Sequence, residues 1–416
     1  MNYKKIFISC VSFFFGMILS AQSDFSTIVP ETVGLSSNQL EELNTQLHDV
    51  VDSGQLAGIQ TAILRKGKLA HLDTYGFSNL QNKEKLKMNS IYRIFSMTKP
   101  IVSIALMQLY EMGKFKLDDP IHKFIPEFES MKMHSEQGGL KKAKNPIKII
   151  DLLRHTSGIG YGRGENDYIN QLYANARLTN SKDLKTFIGK LCELPLYFEP
   201  GTNWGYGYST DVIGYLIEVL SNQSLDTYLS ENIFVPLQMV DTHFQLPKAK
   251  LERFTVGYGA DEDGNLFVSE APHESRFTQN VTLFLGGGGL VSTTPDYIKF
   301  CQMLRNMGTF EGAEIVKPET LQLMTKDHLS DVRKHQKEPL RLMPRETGFG
   351  LGFSVAAYKP NGERGVYGWG GAVGTYFRID PKNDLIYIMM MQISPYRQLG
   401  LREKFQNLVN EALIVQ

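Results

Sequence analysis

The chain has 416 residues, with 44 basic and 44 acidic side chains and a formal net charge of zero. Nucleic acids and anionic membranes are bound through an excess of Lys and Arg, so this balance argues against either as the main partner. The nine histidines form no HExxH and no GxSxG occurs, which sets aside a zinc hydrolase and the α/β-hydrolase route to ester cleavage.

Residues 1–21 read as a secretory signal: Lys4 and Lys5, an apolar run over 6–19, then Ser20-Ala21 before Gln22. The run is shorter than the roughly 20 residues a spanning helix needs. The expectation is a periplasmic or secreted protein with no membrane span once the signal is removed. Cleavage leaves 42 basic against 44 acidic residues, because two lysines go and no acid does. The mature chain, 22–416, is expected to form one domain.

An amphipathic helix is predicted to begin near Ser36-Ser37. Two β-prone runs over 58–76 then flank the turn Arg65-Lys66-Gly67-Lys68, a hairpin signal. Next comes Phe95-Ser96-Met97-Thr98-Lys99-Pro100. A serine hydroxyl is a poor nucleophile until a neighbour accepts its proton. Side chains three apart on a helix share a face, so Lys99 can bring its amine to Ser96. Apolar spacing at Ile101, Ile104, Ala105, Leu109 and Met112 predicts a buried helix running to Gly113, with Pro100 tolerated in its first turn. The middle of the chain, 115–285, reads as mainly helical and rich in loops.

Gly286-Gly287-Gly288-Gly289 lacks the Gly-Lys-Ser/Thr ending of a phosphate cradle and reads as a loop bordering the site. Thr294-Pro295-Asp296 follows with the pattern of a helix cap, opening a helix that stops at Gly308. Cys301 falls within the apolar face of that helix. With Cys192 it is one of two cysteines left after cleavage, too few for a disulfide framework and without metal-ligand spacing, and Cys301 reads as a packed thiol. The last third alternates strands and turns: 350–358, the turn 359–362, 365–379, the turn 380–383, and 385–392, closed by a helix over 397–414. Hairpins at both ends cannot each bury a face alone. The predicted fold is therefore α/β in content, of the α+β kind, with one antiparallel sheet of about five strands covered by the terminal helices. A sheet subdomain (30–114 and 286–416) and a helical subdomain (115–285) would meet at a cleft holding the site.

Two further motifs are in register with SxxK. Asn203-Trp204-Gly205-Tyr206-Gly207-Tyr208-Ser209-Thr210-Asp211 follows Glu199-Pro200-Gly201-Thr202, and Trp369-Gly370-Gly371 precedes Ala372-Val373-Gly374-Thr375. The ordered set resembles the serine β-lactamase and penicillin-binding-protein superfamily, and most of all the family VIII carboxylesterases, its branch similar to class C β-lactamases. The resemblance spans roughly 30–410. It implies the β-lactamase/transpeptidase fold, a covalent acyl-enzyme on Ser96, and Lys99 and Tyr206 as a coupled proton-transfer pair in which either can be the base. It further implies an oxyanion hole from the backbone N–H groups of Ser96 and Ala372, and a structural rather than catalytic His155. Without the resemblance, Tyr206 reads rather as an aromatic anchor packing beside Trp204.

Two positions depart from the commonest superfamily pattern. Tyr208 stands where an asparagine reads the substrate amide, and Trp369 where a lysine or histidine binds a substrate carboxylate. Together with Gly370 and Gly371, which allow close backbone approach, they predict a pocket for uncharged acyl groups. The expected function is that of an exported carboxylesterase acting on a small-molecule ester or amide without cofactor or metal. A β-lactamase or D-amino-acid-specific peptidase on the same fold is the nearest alternative, and a penicillin-binding-like module that binds without turnover is another.

Overall fold

The computed structural model describes residues 25–134, 139–334, 347–356 and 365–414. The signal segment 1–21 and the turn at 359–362 lie outside these residues. The main sheet is built from β1 (Gly58–Arg65), β2 (Lys68–Asn79), β3 (Glu84–Lys85), β4 (Thr347–Phe349), β5 (Ser354–Ala356), β6 (Tyr367–Gly370), β7 (Tyr376–Asp380) and β8 (Leu385–Met390). Their spatial order is β4-β5-β6-β7-β8-β1-β2-β3, with every neighbouring pair antiparallel.

β1 is the seam between the two ends of the chain. It pairs with β2 through the hairpin and with β8 on its other side, from Gln60 opposite Met390 to Arg65 opposite Leu385. The hairpin turn places Lys66 at φ +54° and Gly67 at φ +75°, the left-handed pair that matches strand twist. Because helices cover both faces, β1 is buried along nearly its whole length and reads as a continuous apolar run rather than an alternation.

The helices that position the site are α1 (Ser37–Asp52), α2 (Thr98–Glu111), α3 (Ser209–Ser221), α4 (Thr294–Arg305) and α5 (Leu401–Glu411). On one face of the sheet Leu40, Leu43 and Leu47 of α1 meet Phe405 and Val409 of α5 over Tyr387 and Met389. Ser36 caps α1 by accepting the Gln39 N–H, a contact of the kind worth about 1 kcal/mol. On the other face α2 is buried all round, as a central helix must be. Its Ile101, Ile104 and Ala105 share one core with Phe377 and Ile388 of the sheet and with Val212 and Leu216 of α3.

The antiparallel sheet flanked by terminal helices agrees with the sequence reading, but it is wider than five strands because the short edge strands β3 and β4 extend it. The stretch 365–379 is two strands: the chain leaves β6 at Gly370 and returns as β7 at Tyr376. The cap of α4 is Thr293, whose side chain accepts the Asp296 N–H, so the helix starts one residue before the expected cap implies. The last helix is shorter than 397–414, since a separate 3₁₀ turn, Arg397–Leu399, ends at Gly400 before α5 begins. Among the described residues no helix is long and apolar enough to cross a membrane.

Candidate active site

The short strand Ile91–Arg93 pairs with Val291–Thr293 and delivers the chain into a 3₁₀ turn, Phe95–Met97, directly before α2. Phe95 has φ +40°, a conformation costing a side-chain-bearing residue about 1–2 kcal/mol. Its ring is held edge-on to Phe277 at 6.0 Å. Ser96, directly after this strained residue, is half-buried, while Lys99 three residues on is 1% exposed.

A buried ammonium must spend its donors on protein acceptors. Lys99 Nζ donates to the Gly287 carbonyl at 2.6 Å and to the Tyr161 hydroxyl at 2.9 Å, and it lies 3.4 Å from Ser96 Oγ. The glycine loop therefore holds the lysine rather than only bordering the site. Gly287 is itself fixed from α3, because its N–H donates to Asp211 Oδ1 at 2.9 Å. Burial pushes the Asp211 carboxyl up to about 6, against the opposing pull of Lys99 and the Gly287 N–H.

The raised Asp211 value has a definite sign in the stability of the protein. Between about pH 4 and 6 the unfolded chain has lost this proton while the folded chain retains it, so stability falls as pH rises through that window, by roughly 3 kcal/mol for this group. Asp211→Asn keeps an acceptor for Gly287 and removes the titration. Thermal unfolding at pH 4, 5, 6 and 7 should show the decline flattened in the variant, and an unchanged slope would remove Asp211 as its source.

Tyr206 sits in an aromatic cluster. His155, at φ +58° and fully buried, lies 4.9 Å from its ring, Trp204 stacks at 6.1 Å and 15°, and Trp369 lies at 5.5 Å. The His155 carbonyl accepts the Gly205 N–H at 2.9 Å, which ties the Tyr206 loop to the His155 turn. Burial, then Lys99, holds the His155 imidazole well below its usual range, so it is neutral. The Tyr206 hydroxyl accepts from Trp369 Nε1 at 3.2 Å, and Lys99 Nζ stands 4.6 Å over the Tyr206 ring. The lysine thus meets the face of Tyr206, and the phenol oxygen it touches is that of Tyr161.

Tyr208 stands at the start of α3, its ring edge-on to Tyr161 at 4.5 Å and to Phe187 at 5.3 Å. Burial, then the nearby Asp211, raises its phenol above the ordinary value. Trp369, on β6, also packs edge-on to Phe349 at 5.2 Å.

Beyond Trp369 the strand end presses on the backbone preceding Ser96. A Cβ on Gly371 would stand 2.5 Å from the Ile94 carbonyl oxygen, so only glycine allows this approach. The Gly371 N–H donates to the Thr375 carbonyl at 2.8 Å, turning the chain so that Ala372 is exposed. Among the described residues nothing accepts the N–H of Ser96 or of Ala372.

The structure therefore gathers Ser96, Lys99, Tyr206, Tyr208 and Trp369, with the Gly370–Ala372 strand end beside them. It adds Tyr161, Asp211 and the Gly287 carbonyl, which sequence reasoning missed. Tyr161 closes the glycine-containing turn after Thr156-Ser157-Gly158, and Asp211 is the first-turn acid of α3. A polar residue at each place is unremarkable until the fold joins them. Among the described residues no group of three or more His, Cys, Asp or Glu side chains could hold a metal ion. Cys192 and Cys301 are both free thiols, Cys301 buried in the core.

A sheet between helical layers with a serine–lysine pair at the start of the central helix matches the β-lactamase/transpeptidase fold. The beta-lactamase family model matches residues 43–409, and the chain belongs to that family. Protein Rv1367c of Mycobacterium tuberculosis is 30% identical over 370 residues, covering 86% of this chain and 90% of that protein. Esterase EstB of Burkholderia gladioli is 27% identical over 355 residues, covering 78% and 83%. The solved structure of EstCE1, described as a hydrolase with promiscuous acyltransferase activity, superposes with a TM-score of 0.74 at 22% identity, covering 91% of this chain and 99% of that one. At the level of the family, the chain is a serine hydrolase of β-lactamase fold.

Proposed function

We propose that the mature chain is an exported carboxylesterase acting on small-molecule esters of short or medium acyl chains through an acyl-enzyme on Ser96. The observation that carries this is the contact of Lys99 with Ser96 Oγ at 3.4 Å beside a strand end whose Ala372 N–H is uncommitted. Ser96 Oγ attacks the ester carbonyl carbon and its proton passes to the pair formed by Lys99 and Tyr206. The oxyanion lies between the N–H groups of Ser96 and Ala372. Collapse expels the alcohol, which takes up the proton, and water then releases the acid by the same route.

The ester preference rests on Trp369, whose indole N–H is engaged by Tyr206 and which brings no cation to the strand end. A substrate carboxylate finds no charge-assisted partner at that position. The similarity to an esterase, EstB, supports the same reading. Hydrolysis of a p-nitrophenyl acyl series from acetate to decanoate tests it. Turnover should be greatest for the shorter chains, and wild-type rates equal to those of Ser96→Ala throughout the series would overturn the reading.

A further inference from the structure

The peptide joining Gly371 to Ala372 has its two ends in different surroundings. Its N–H is the proposed oxyanion donor. Its carbonyl accepts from Arg402 Nη2 at 2.5 Å, and the same nitrogen donates to the Thr375 carbonyl at 2.8 Å. A trans peptide points its C=O and N–H in opposite directions, so the guanidinium stands behind the donor and away from the cleft.

Arg402 is an unusual cation for this place. It is half-buried on the first turn of α5, and its Nε is sealed from water with no partner among the described residues. Among the described residues no carboxylate lies within ion-pair distance of it. Its remaining polar contact is with the Tyr396 hydroxyl at 2.6 Å, and its guanidinium stacks 4.1 Å over the Tyr396 ring. Burial and the neighbouring Arg378 and Arg397 both oppose its charge. Gly370 leaves room for it, since a Cβ there would meet Arg402 Cζ at 2.6 Å. With no carboxylate beside it to offset its charge, the guanidinium polarises the dipoles it touches, and one of these is the Gly371–Ala372 peptide.

We propose that Arg402 is a positioning residue that polarises the Gly371–Ala372 peptide and so strengthens the Ala372 N–H as an oxyanion donor. Hydrogen bonds in series reinforce one another, and a charged donor at one end of a peptide makes the other end a stronger donor. The effect grows as charge develops on the substrate oxygen, so it acts on kcat more than on KM. The inference rests on the reading of Ser96 as nucleophile and of Ala372 as oxyanion donor.

The test is rapid-mix infrared difference spectroscopy of the acyl-enzyme formed from p-nitrophenyl benzoate carrying ¹³C at the carbonyl, alongside steady-state kinetics. Arg402→Gln should lower kcat about tenfold with KM nearly unchanged, and should move the acyl carbonyl band to higher wavenumber. Arg402→Lys retains the charge and should return the band toward its wild-type position, and Arg402→Met, uncharged and of similar length, should shift it as the glutamine variant does, which covers the case in which that variant does not fold. Tyr396→Phe removes a tether without touching the peptide and should leave the band in place. If wild type forms no acyl band that depends on Ser96, the nucleophile reading fails and this inference falls with it. If wild type gives the band and the uncharged Arg402 variants leave it unshifted, Arg402 only ties α5 to the sheet and this inference alone is overturned.

Discussion

A fluorophosphonate probe should add one adduct to the wild-type protein, on Ser96, and none to Ser96→Ala, whose ester turnover should fall by at least about a thousandfold. The expectation follows from geometry rather than from the motif alone. Ser96 is the half-buried hydroxyl that follows the strained residue Phe95, beside a lysine whose other contacts are a phenol and a carbonyl. Lys99→Ala and Tyr206→Phe should each lower kcat about a hundredfold or more, the usual scale of lost proton transfer. Tyr161→Phe, which removes a hydrogen bond to Lys99 but no reacting group, should cost only about tenfold. Intact-mass analysis and initial rates on the four variants decide the matter. Equal labelling of Ser96→Ala and wild type would move the nucleophile elsewhere.

The second large effect concerns substrate class. Losing a charge-assisted contact costs about 1.5–3 kcal/mol, or roughly ten- to a hundredfold in binding. In place of a carboxylate-binding cation the cleft has Trp369, and in place of an amide-reading asparagine it has Tyr208, whose ring packs on Tyr161 and Phe187. The kcat/KM for a neutral short-chain p-nitrophenyl ester should therefore exceed that for a chromogenic cephalosporin by at least about a hundredfold. Trp369→Lys should narrow the gap. It also removes the donor to Tyr206 and the edge contact with Phe349, so ester turnover should fall in the same variant. Trp369→Phe separates the two effects, because it loses the indole N–H without gaining charge and should leave the ratio near its wild-type value. Cephalosporin turnover comparable with that of the ester in wild type would place the chain among the β-lactamases.

The parts of this molecule that were legible in its sequence are those set by local rules. Ser96 and Lys99 are three residues apart, so helix geometry alone brings them together. The hairpin of β1 and β2 declares itself in its turn residues. Tyr161 and Asp211 were not legible, because they converge on Lys99 from 62 and 112 residues away and carry no periodicity that marks them. The stretch 365–379 read as one strand because its residues suit a pleated surface throughout. What divides it is the approach of Gly371 to Ile94, a contact between distant segments. The pairing of Lys99 with Tyr206 was inferred from family likeness, and in the fold Lys99 Nζ lies 4.6 Å over the Tyr206 ring while the Tyr206 oxygen accepts from the Trp369 indole.

The seam at β1 has a consequence for how the protein is made. Ser96 and Lys99 are synthesised in the first quarter of the chain, yet the strand end beside them and Arg402 behind it come from the last fifty residues. Pairing β1 with β8 joins positions more than three hundred residues apart, a closure that is slow and that local structure cannot complete early. A nascent or C-terminally clipped chain would thus hold Ser96 without the Gly370–Ala372 strand end that approaches Ile94. Loss of even the final helix strips α1 of its partner, leaving Leu43, Leu47 and Tyr387 to water. Under the proposed mechanism the Ala372 donor is in place only once the C-terminal strands have paired, so a partly made or partly degraded copy should be inactive toward esters.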